Sequence, residues 1–411
     1  MSRTKKTIFH LDMNAYFAAV EQQSNPALRG KPIAICGRGR TVVATASYEA
    51  RRFGVKTGMT LSEAKRCCPD LIPVEGNHIK YIDTSRKIHE ICLRYTEYVE
   101  IFSIDEVFMD IGSSLHLVKS AKQVAADIKK KIKSVLGLTC SIGIAPTKIL
   151  AKLASGREKP DGLVEYVDSD MPYILKDTPV EDICGIGNKT KNYLNTLGIK
   201  TLVELGNMDI QFLRKHFGFM ANILQRIGKG EEFSKVSRYN DSSPAKSVGH
   251  SNTFPKDTWD IKIIKAFLLM LSERVGMRLR KYGLTGRAVA LHVRYGDFTG
   301  KSRRKTAGRY IRTGMDIYKT ANIILEEVLP LEKPVRLVGI SISNLSRYWG
   351  QRSLFEELCR EERIEETMDK INKRQGEFFI RPFSFETVRN FTDDSIDVPA
   401  RVHGFCPDLK K

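Results

Sequence analysis

Two carboxylates, Asp105 and Glu106, stand side by side in the otherwise apolar run EIFSIDEVFMDI. Ionised neighbours repel, and a buried, unpaired carboxylate costs several kcal/mol, so the pair needs solvent or a positive partner. In a regular strand the two side chains point to opposite faces. At a hairpin tip or bulge they can converge. A third carboxylate, Asp12, ends the apolar strand TIFHLD, and ligands of α/β sheets gather at strand ends. If the two strands are neighbours, three carboxylates meet at one point, an all-oxygen donor set that suits Mg²⁺ rather than zinc. Two such ions about 4 Å apart can activate a hydroxyl and stabilise a leaving phosphate in line. The plainer alternative is a solvent-facing hairpin turned by Asp105 and Glu106.

A second group could hold phosphate. Thr45, Tyr48 and Arg51 recur every three residues in VVATASYEARRFG, at the start of an expected helix, where they can share one side of its first turn. A helix N-terminus with a hydroxyl and a guanidinium suits a triphosphate. Lys159, in the loop REKPDG, could add another positive charge.

The elements that must position these groups follow from periodicity and punctuation. TIFHLDMN reads as a buried strand, and Asn14 as the N-cap of a helix AYFAAVEQQ that Pro26 ends. KPIAICG and TVVATAS are two short strands in a hairpin. YIDTSRKIHEICLRYTEYV is an amphipathic helix, and EIFSIDEVFMDI a hairpin with its tip at Ser103–Glu106. A Lys-rich helix, the strand TCSIGIA and the helix PTKILAKLASG complete an α/β layer. From about 170 to 238 the pattern is all-helical, and SRYNDSSPA reads as a linker. Residues 245–345 read strand, helix, strand, strand, helix, strand, a split βαβ unit. The rest is charged and partly helical, with no core of its own.

At 411 residues the chain exceeds one ordinary core. Its formal net charge of +19 points to polyanions: nucleic acid first, an anionic membrane surface second. Residues 245–345 carry 19 Lys and Arg against 8 Asp and Glu, so the excess is concentrated there. The eight cysteines include no C-x-x-C pair and no histidine pair has zinc-ligand spacing, so no zinc site is expected, and the unpatterned thiols fit a reduced, cytoplasmic protein. No apolar run approaches the roughly 20 residues of a membrane span.

DMNAYFAAVEQ, VVATASYEARRFGVKTGM, SIDEVFMDI, SIGIAPTKILAKLAS and KPDG, in this order and spacing, resemble the Y-family DNA polymerases, and most closely the DNA polymerase IV branch of bacterial translesion enzymes. The resemblance runs from residue 7 to about 345. It implies an α/β multidomain fold: a palm at 1–25 and 76–169, small fingers at 26–75, an all-helical thumb at 170–238, a linker at 239–244 and a βαββαβ little finger at 245–345, with a tail at 346–411. It implies template-directed, low-fidelity DNA synthesis past damaged template. Asp12, Asp105 and Glu106, with the Met13 main-chain carbonyl, would hold two Mg²⁺ ions. The family often has a second Asp where this chain has Asn14, a position not counted among the ligands.

The same resemblance assigns Thr45, Tyr48, Arg51 and Lys159 to the triphosphate, and Phe17 rather than Tyr16 to a steric gate that excludes a ribose 2′-hydroxyl. ICGIGNKTKNYLNTLGI has Gly185 and Gly187 flanking Ile186, with Lys189 just after. By itself Gly-x-Gly marks a tight helix turn; here it resembles a helix-hairpin-helix, whose amides grip a backbone phosphate without reading bases. Lys301, Arg303 and Lys305 alternate on one strand, so they share a face that can lie along a duplex backbone. QRSLF, with Gln351, Leu354 and Phe355, resembles a sliding-clamp-binding peptide or is an ordinary helix start. The expected partners are primer–template DNA, deoxynucleoside triphosphates and a sliding clamp, with no membrane and a monomeric chain. A nucleotide cyclase would share the sheet and metals but leaves the basic C-terminal region unexplained. A scaffold without catalysis would not need the intact carboxylates.

Overall fold

The computed structural model describes residues 6–112, 120–231, 234–241, 244–348, 356–376, 379–382 and 385–392. It divides into two compact units near residue 242.

The first unit opens with β1 (Ile8–Met13), buried along its whole length, then α1 (Tyr16–Ser24). β2 (Ile33–Cys36), β3 (Thr45–Ala46), α2 (Tyr48–Arg52), α3 (Leu61–Cys67) and β4 (Ile72–Glu75) follow. Next come α4 (His78–Leu93), β5 (Val99–Ile101), β6 (Glu106–Asp110), α5 (Ala121–Leu136), β7 (Cys140–Ala145), α6 (Lys148–Arg157) and β8 (Leu163–Glu165). The helical part comprises α7 (Met171–Asp177), α8 (Asn188–Thr196), α9 (Leu202–Asn207), α10 (Ile210–Phe217) and α11 (Ala221–Gly228).

β1 is the centre of a five-stranded sheet ordered β5-β6-β1-β7-β8. Its alternate residues serve two faces. Phe9, Leu11 and Met13 join a core with Val107, Met109 and Ile142 and the apolar stripes of α4 and α5. Val124, Ala125, Ile128 and Ile132 form the α5 stripe, and Gly137 at φ 67° ends that helix in the left-handed region where glycine is favoured. Ile8 faces the other way, with Phe108, Ala145 and the apolar side of α6, in a core that continues into α8–α11. A smaller three-stranded sheet, β3-β2-β4, has its own cluster around Val43, Ala46, Ala50 and Ala64. A capping box of Thr60 and Glu63 starts α3 there.

The structure departs from the sequence expectations in this unit. Asn14 does not cap α1: the cap position is Ala15, at φ 45°, with no side-chain cap bond. Asn14 instead reaches β7, donating to Thr139 Oγ1 at 3.1 Å and accepting from Ser141 Oγ at 3.0 Å. The parallel edge strands β4 and β8, of four and three residues, were not expected at all.

The second unit contains β9 (Ser247–Thr258), α12 (Ile261–Lys281), β10 (Leu284–Tyr295), β11 (Gly300–Ile311), α13 (Gly314–Glu326), β12 (Val335–Ser343), β13 (Ser346–Arg347), α14 (Glu356–Gln375) and α15 (Phe385–Thr392). The expected βαββαβ order is present as an antiparallel sheet, β11-β10-β12-β9. Val289, Leu291, Val293, Val338, Ile340 and Ile342 turn toward α12 and α13.

The region expected to be a coreless tail is part of this unit. Phe385 and Val388 are buried in the same cluster, and the Phe391 ring meets Phe254 and Phe267 edge-on at 6.2 Å. α14 is fixed by charge. Arg280 of α12 pairs with Glu365 and, through two nitrogens at 2.6 and 2.9 Å, with Asp369. Glu365 also accepts from Gly314 N at 3.0 Å, at the first turn of α13. Among the described residues no helix is long and apolar enough to cross a membrane.

Candidate active site

The antiparallel pairing of β1 with β6 sets Asp12 directly opposite Glu106. Paired residues of a ladder share a face, so both carboxylates lie on the side of the sheet that α6 covers. The tip of the β5–β6 hairpin brings in the third. Phe102 N and Ser103 N both bond Glu106 O, at 3.0 and 3.2 Å, and Asp105 O accepts from Met13 N at 3.0 Å. Asp105 therefore sits on the turn rather than in the pleat, which frees it from the alternation that would separate it from Glu106. The sequence requirement that the SIDE hairpin and the Asp12 strand be neighbours is met.

The electrostatics are those of a site short of positive charge. Burial raises the Asp105 carboxyl above the usual carboxylate range; a bond from Ser103 Oγ at 2.5 Å opposes that, and Asp12 repulsion adds to it. Burial likewise raises Glu106, opposed by Lys152 and reinforced by Asp12 and Asp105. Two ammonium groups offset part of the charge: Lys159 Nζ lies 2.5 Å from Asp12 Oδ2, and Lys152 Nζ lies 2.5 Å from Glu106 Oε1. Among the described residues, no group of three or more His, Cys, Asp and Glu side chains is drawn together closely enough to hold a metal ion. The donor set nevertheless fits hard divalent cations: two carboxylates on adjacent strands and a third on the hairpin turn beside them, two of the three strained by burial and mutual repulsion, each lysine occupying one carboxylate oxygen as a stand-in cation.

Lys159 owes its position to a pinned loop. Lys129 of α5 donates to the Asp161 and Gly162 carbonyls and pairs with Asp161 Oδ1 at 2.9 Å. Gly162 N donates to Ser141 Oγ at 3.2 Å, and that hydroxyl donates to Asn14. Asn14 thus ties the Asp12 strand to the Lys159 loop. Lys152 is a site residue the sequence reading missed. Its one signal, a lysine every four residues in KILAKLAS, is also that of an ordinary amphipathic helix.

Thr45, Tyr48 and Arg51 are neighbours, but not on one helix turn. Thr45 belongs to β3, Ser47 is the N-cap, and α2 begins at Tyr48. Arg51 Nε donates to Ala46 O at 3.0 Å and its guanidinium stands 4.9 Å from the centre of the Tyr48 ring. Burial raises the Tyr48 hydroxyl, Arg51 lowers it and the Asp12 charge raises it, so Tyr48 lies within electrostatic reach of Asp12.

The two aromatics after Asp12 separate cleanly. Tyr16 is 2% exposed and its hydroxyl donates to Tyr81 O at 2.6 Å, a core role. Phe17 is half-buried and stacks on the Tyr81 ring at 4.4 Å. Tyr81 is held in turn: its hydroxyl donates to Glu21 Oε1 at 2.9 Å, and Lys80 pairs with Glu21 Oε2 at 2.6 Å.

Gly185 has φ 102°, a conformation for glycine, and Gly187 is the N-cap of α8, with no side-chain cap bond. Ile186 between them is buried and anchors the turn; Lys189 is exposed in the first turn of the helix. The element before this turn is a 3₁₀ segment, Val180–Asp182, rather than an α-helix.

In the second unit Lys301, Arg303 and Lys305 do share a face, but their register partners are Val293, Leu291 and Val289, the helix-covered side of the sheet. Arg303 and Lys305 are nonetheless exposed and Lys301 partly so, since β11 is an edge strand. Lys301 pairs with Glu332 at 2.7 Å and Lys305 with Glu327 at 3.5 Å. The opposite face carries Ser302, Arg304, His292 and Ser341. Gln351, Leu354 and Phe355 lie outside the described residues.

Comparison with known proteins is consistent across sequence and fold. Residues 11–156 match the model of the impB/mucB/samB family, and residues 245–354 match that of the family's C-terminal domain. A DNA polymerase IV of Pelotomaculum thermopropionicum is 36% identical over 90% of this chain and 92% of its own length. A DNA polymerase IV of Moorella thermoacetica is 36% identical over 90% of this chain and 94% of its own. Among solved structures, a Y-family DNA polymerase chimera matches 82% of this chain and 98% of its own, with a TM-score of 0.75 and 28% identity.

Proposed function

Because the chain belongs to the impB/mucB/samB family, the Y-family DNA polymerases, in their DNA polymerase IV branch, we propose that Asp12, Asp105 and Glu106 form its nucleotidyl-transfer centre. The protein is a template-directed DNA polymerase of translesion synthesis, acting on primer–template DNA and deoxynucleoside triphosphates. Divalent-metal chemistry comes with that family, and we assign two Mg²⁺ ions to the three carboxylates and the Met13 main-chain carbonyl. When bound, such ions acidify the primer 3′-hydroxyl and neutralise the leaving pyrophosphate.

The observation that carries this reading is the pair of ammonium groups at 2.5 Å on Asp12 and Glu106. Carboxylates built into a buried strand pair, at a cost in repulsion, serve a cationic occupant. In this reading Lys159, Arg51, Tyr48 and Thr45 hold the triphosphate, and Lys159 exchanges Asp12 for phosphate oxygen. Phe17, backed by Tyr81, packs against the sugar and leaves no room for a 2′-hydroxyl. The Gly185 and Gly187 amides, with Lys189, hold a backbone phosphate, and Lys301, Arg303 and Lys305 lie along the duplex. Gln351, Leu354 and Phe355 dock on a sliding clamp. Synthesis is of low fidelity, by a monomer in the cytoplasm.

The test is a single assay with purified protein, primed template, four dNTPs and Mg²⁺. Primer growth is the expected result. A cyclic product from nucleotide alone, or DNA binding without turnover, would overturn the proposal.

A further inference from the structure

His10 lies two residues before Asp12 on β1, fully buried, on the same face of the sheet as Asp12. Its Nδ1 is 2.7 Å from Ser155 Oγ, and that hydroxyl donates to Lys152 O at 2.8 Å. A serine hydroxyl has one proton to give. With that proton on the Lys152 carbonyl, the imidazole must be the donor at Nδ1, which fixes its tautomer. Nε2 is left as a buried acceptor with no partner. An apolar side chain would avoid that loss, so stability does not explain a histidine here.

The surroundings are shaped to allow this bond. The register partner of His10 on β7 is Gly143. A Cβ at Gly143 would stand 2.1 Å from Ala151 O and 2.3 Å from Ser155 N. Helix α6 therefore rests directly on the sheet backbone beside His10, at a spot where only glycine fits. One residue pair, His10 and Ser155, joins the strand that carries Asp12 to the helix turn that carries Lys152. Lys152 in turn meets Glu106 at 2.5 Å.

We infer that His10 and Ser155 are positioning residues for nucleotidyl transfer: their buried bond sets the height of the Lys152 turn above the sheet, and so where the Lys152 ammonium meets Glu106. Neither residue touches the reacting atoms in this account. Lys152 competes with a cation for Glu106 and stands ready beside it once one is bound, so its placement governs both cation affinity and the turnover step. The inference rests on the nucleotidyl-transfer reading of the site.

Three single variants of the full-length protein test it: Ser155→Ala, His10→Asn and Lys152→Met, with Ser155→Ala/Lys152→Met as the double. Ser155→Ala deletes only a hydroxyl on a helix, and His10→Asn keeps an N–H donor toward Ser155. Two quantities are read: single-nucleotide incorporation kinetics, and Mn²⁺ affinity by electron paramagnetic resonance without nucleotide. Ser155→Ala is expected to lower kcat about tenfold with the dNTP KM within about twofold. It shifts the Mn²⁺ Kd about threefold, in the direction given by Lys152→Met, and adds nothing in the Lys152→Met background. His10→Asn retains kcat within about threefold of the unsubstituted protein. Full additivity with Lys152→Met, or an unchanged Mn²⁺ Kd in Ser155→Ala, would overturn the tether while leaving the transfer reading intact. Absence of incorporation by the unsubstituted protein would overturn both.

Discussion

Asp12 and Glu106 face each other across the β1–β6 ladder, and each is held at 2.5 Å by a lysine ammonium from outside that ladder. Two strands thus supply the anions, while a helix and a loop supply removable cations. Removable cations matter because a permanent partner such as a bidentate arginine would bind these carboxylates too well to be displaced.

Repulsion at this site carries a measurable cost. The Asp105 and Glu106 carboxyls are raised in the folded protein, so between their ordinary and raised values the folded state holds more protons than the unfolded chain. Stability therefore falls as pH climbs through that interval and stays reduced above it. Asp105→Asn escapes the penalty, and Asn can still accept from Ser103. Its melting temperature at pH 7.5 is expected to rise by roughly 2–4 °C, measured by calorimetry, even as activity is lost.

Phe17 and Tyr16 should separate sugar selection from stability. Phe17→Ala removes the half-buried ring stacked on Tyr81 and is expected to raise ribonucleotide incorporation roughly 100-fold. Tyr16→Phe loses the bond to Tyr81 O, at about 1 kcal/mol of stability, with sugar preference unchanged. Parallel incorporation of a dNTP and its rNTP by both variants checks the assignment.

The β11 cations are not equivalent. Lys301 and Lys305 already have acidic partners, and Arg303 between them has no ion pair among the described residues. In a plot of log affinity for duplex DNA against log salt, Arg303→Ala is expected to reduce the slope by about 1, and Lys305→Ala by less. Equal losses would show that the acidic partners do not matter.

The buried cluster that holds α14 is proton-linked. Burial, then repulsion from Glu365, push the Glu273 carboxyl up to about 8, against the pull of Arg280. Its folded value exceeds its unfolded one, so its protonated form stabilises the docked helix at low pH. That contribution is lost as pH rises from about 4.5 to about 8. Arg312 pairs with Glu362 and Glu366 beside it and Asp369 also faces Arg280, so the other charges of the cluster are paired. Hydrogen exchange of α14 amides, corrected for intrinsic pH dependence, should quicken across that interval, and Glu273→Gln should flatten the trend.

Much of this site was legible because it depends on chain-local features. A largely apolar strand with Asp12 near its end and a hairpin with Asp105 and Glu106 at its tip need only be adjacent to make a cluster. What the sequence hid depends on backbone conformation or on distant partners. Asn14 reads as an N-cap by residue type, but the left-handed turn at Ala15 sends its side chain to β7. The spacing of Thr45, Tyr48 and Arg51 suits one helix, yet a strand ends between the first two. Lys152 looks like any solvated lysine until the register places Glu106 beneath it. Phe385 and Val388 look coreless because the core they complete is built by residues far earlier in the chain, from Phe254 to Ile342.

The most direct measurement is single-turnover addition of one dNTP to a primed template, with Mg²⁺, by the unsubstituted protein and by Asp105→Asn and Glu106→Gln, after calorimetry shows that all three are folded. The expected result is a fall of at least about 1,000-fold in the rate for each variant, with primer–template affinity held within about threefold. Nucleotidyl transfer at the unsubstituted rate by either neutralised protein would contradict the three-carboxylate centre.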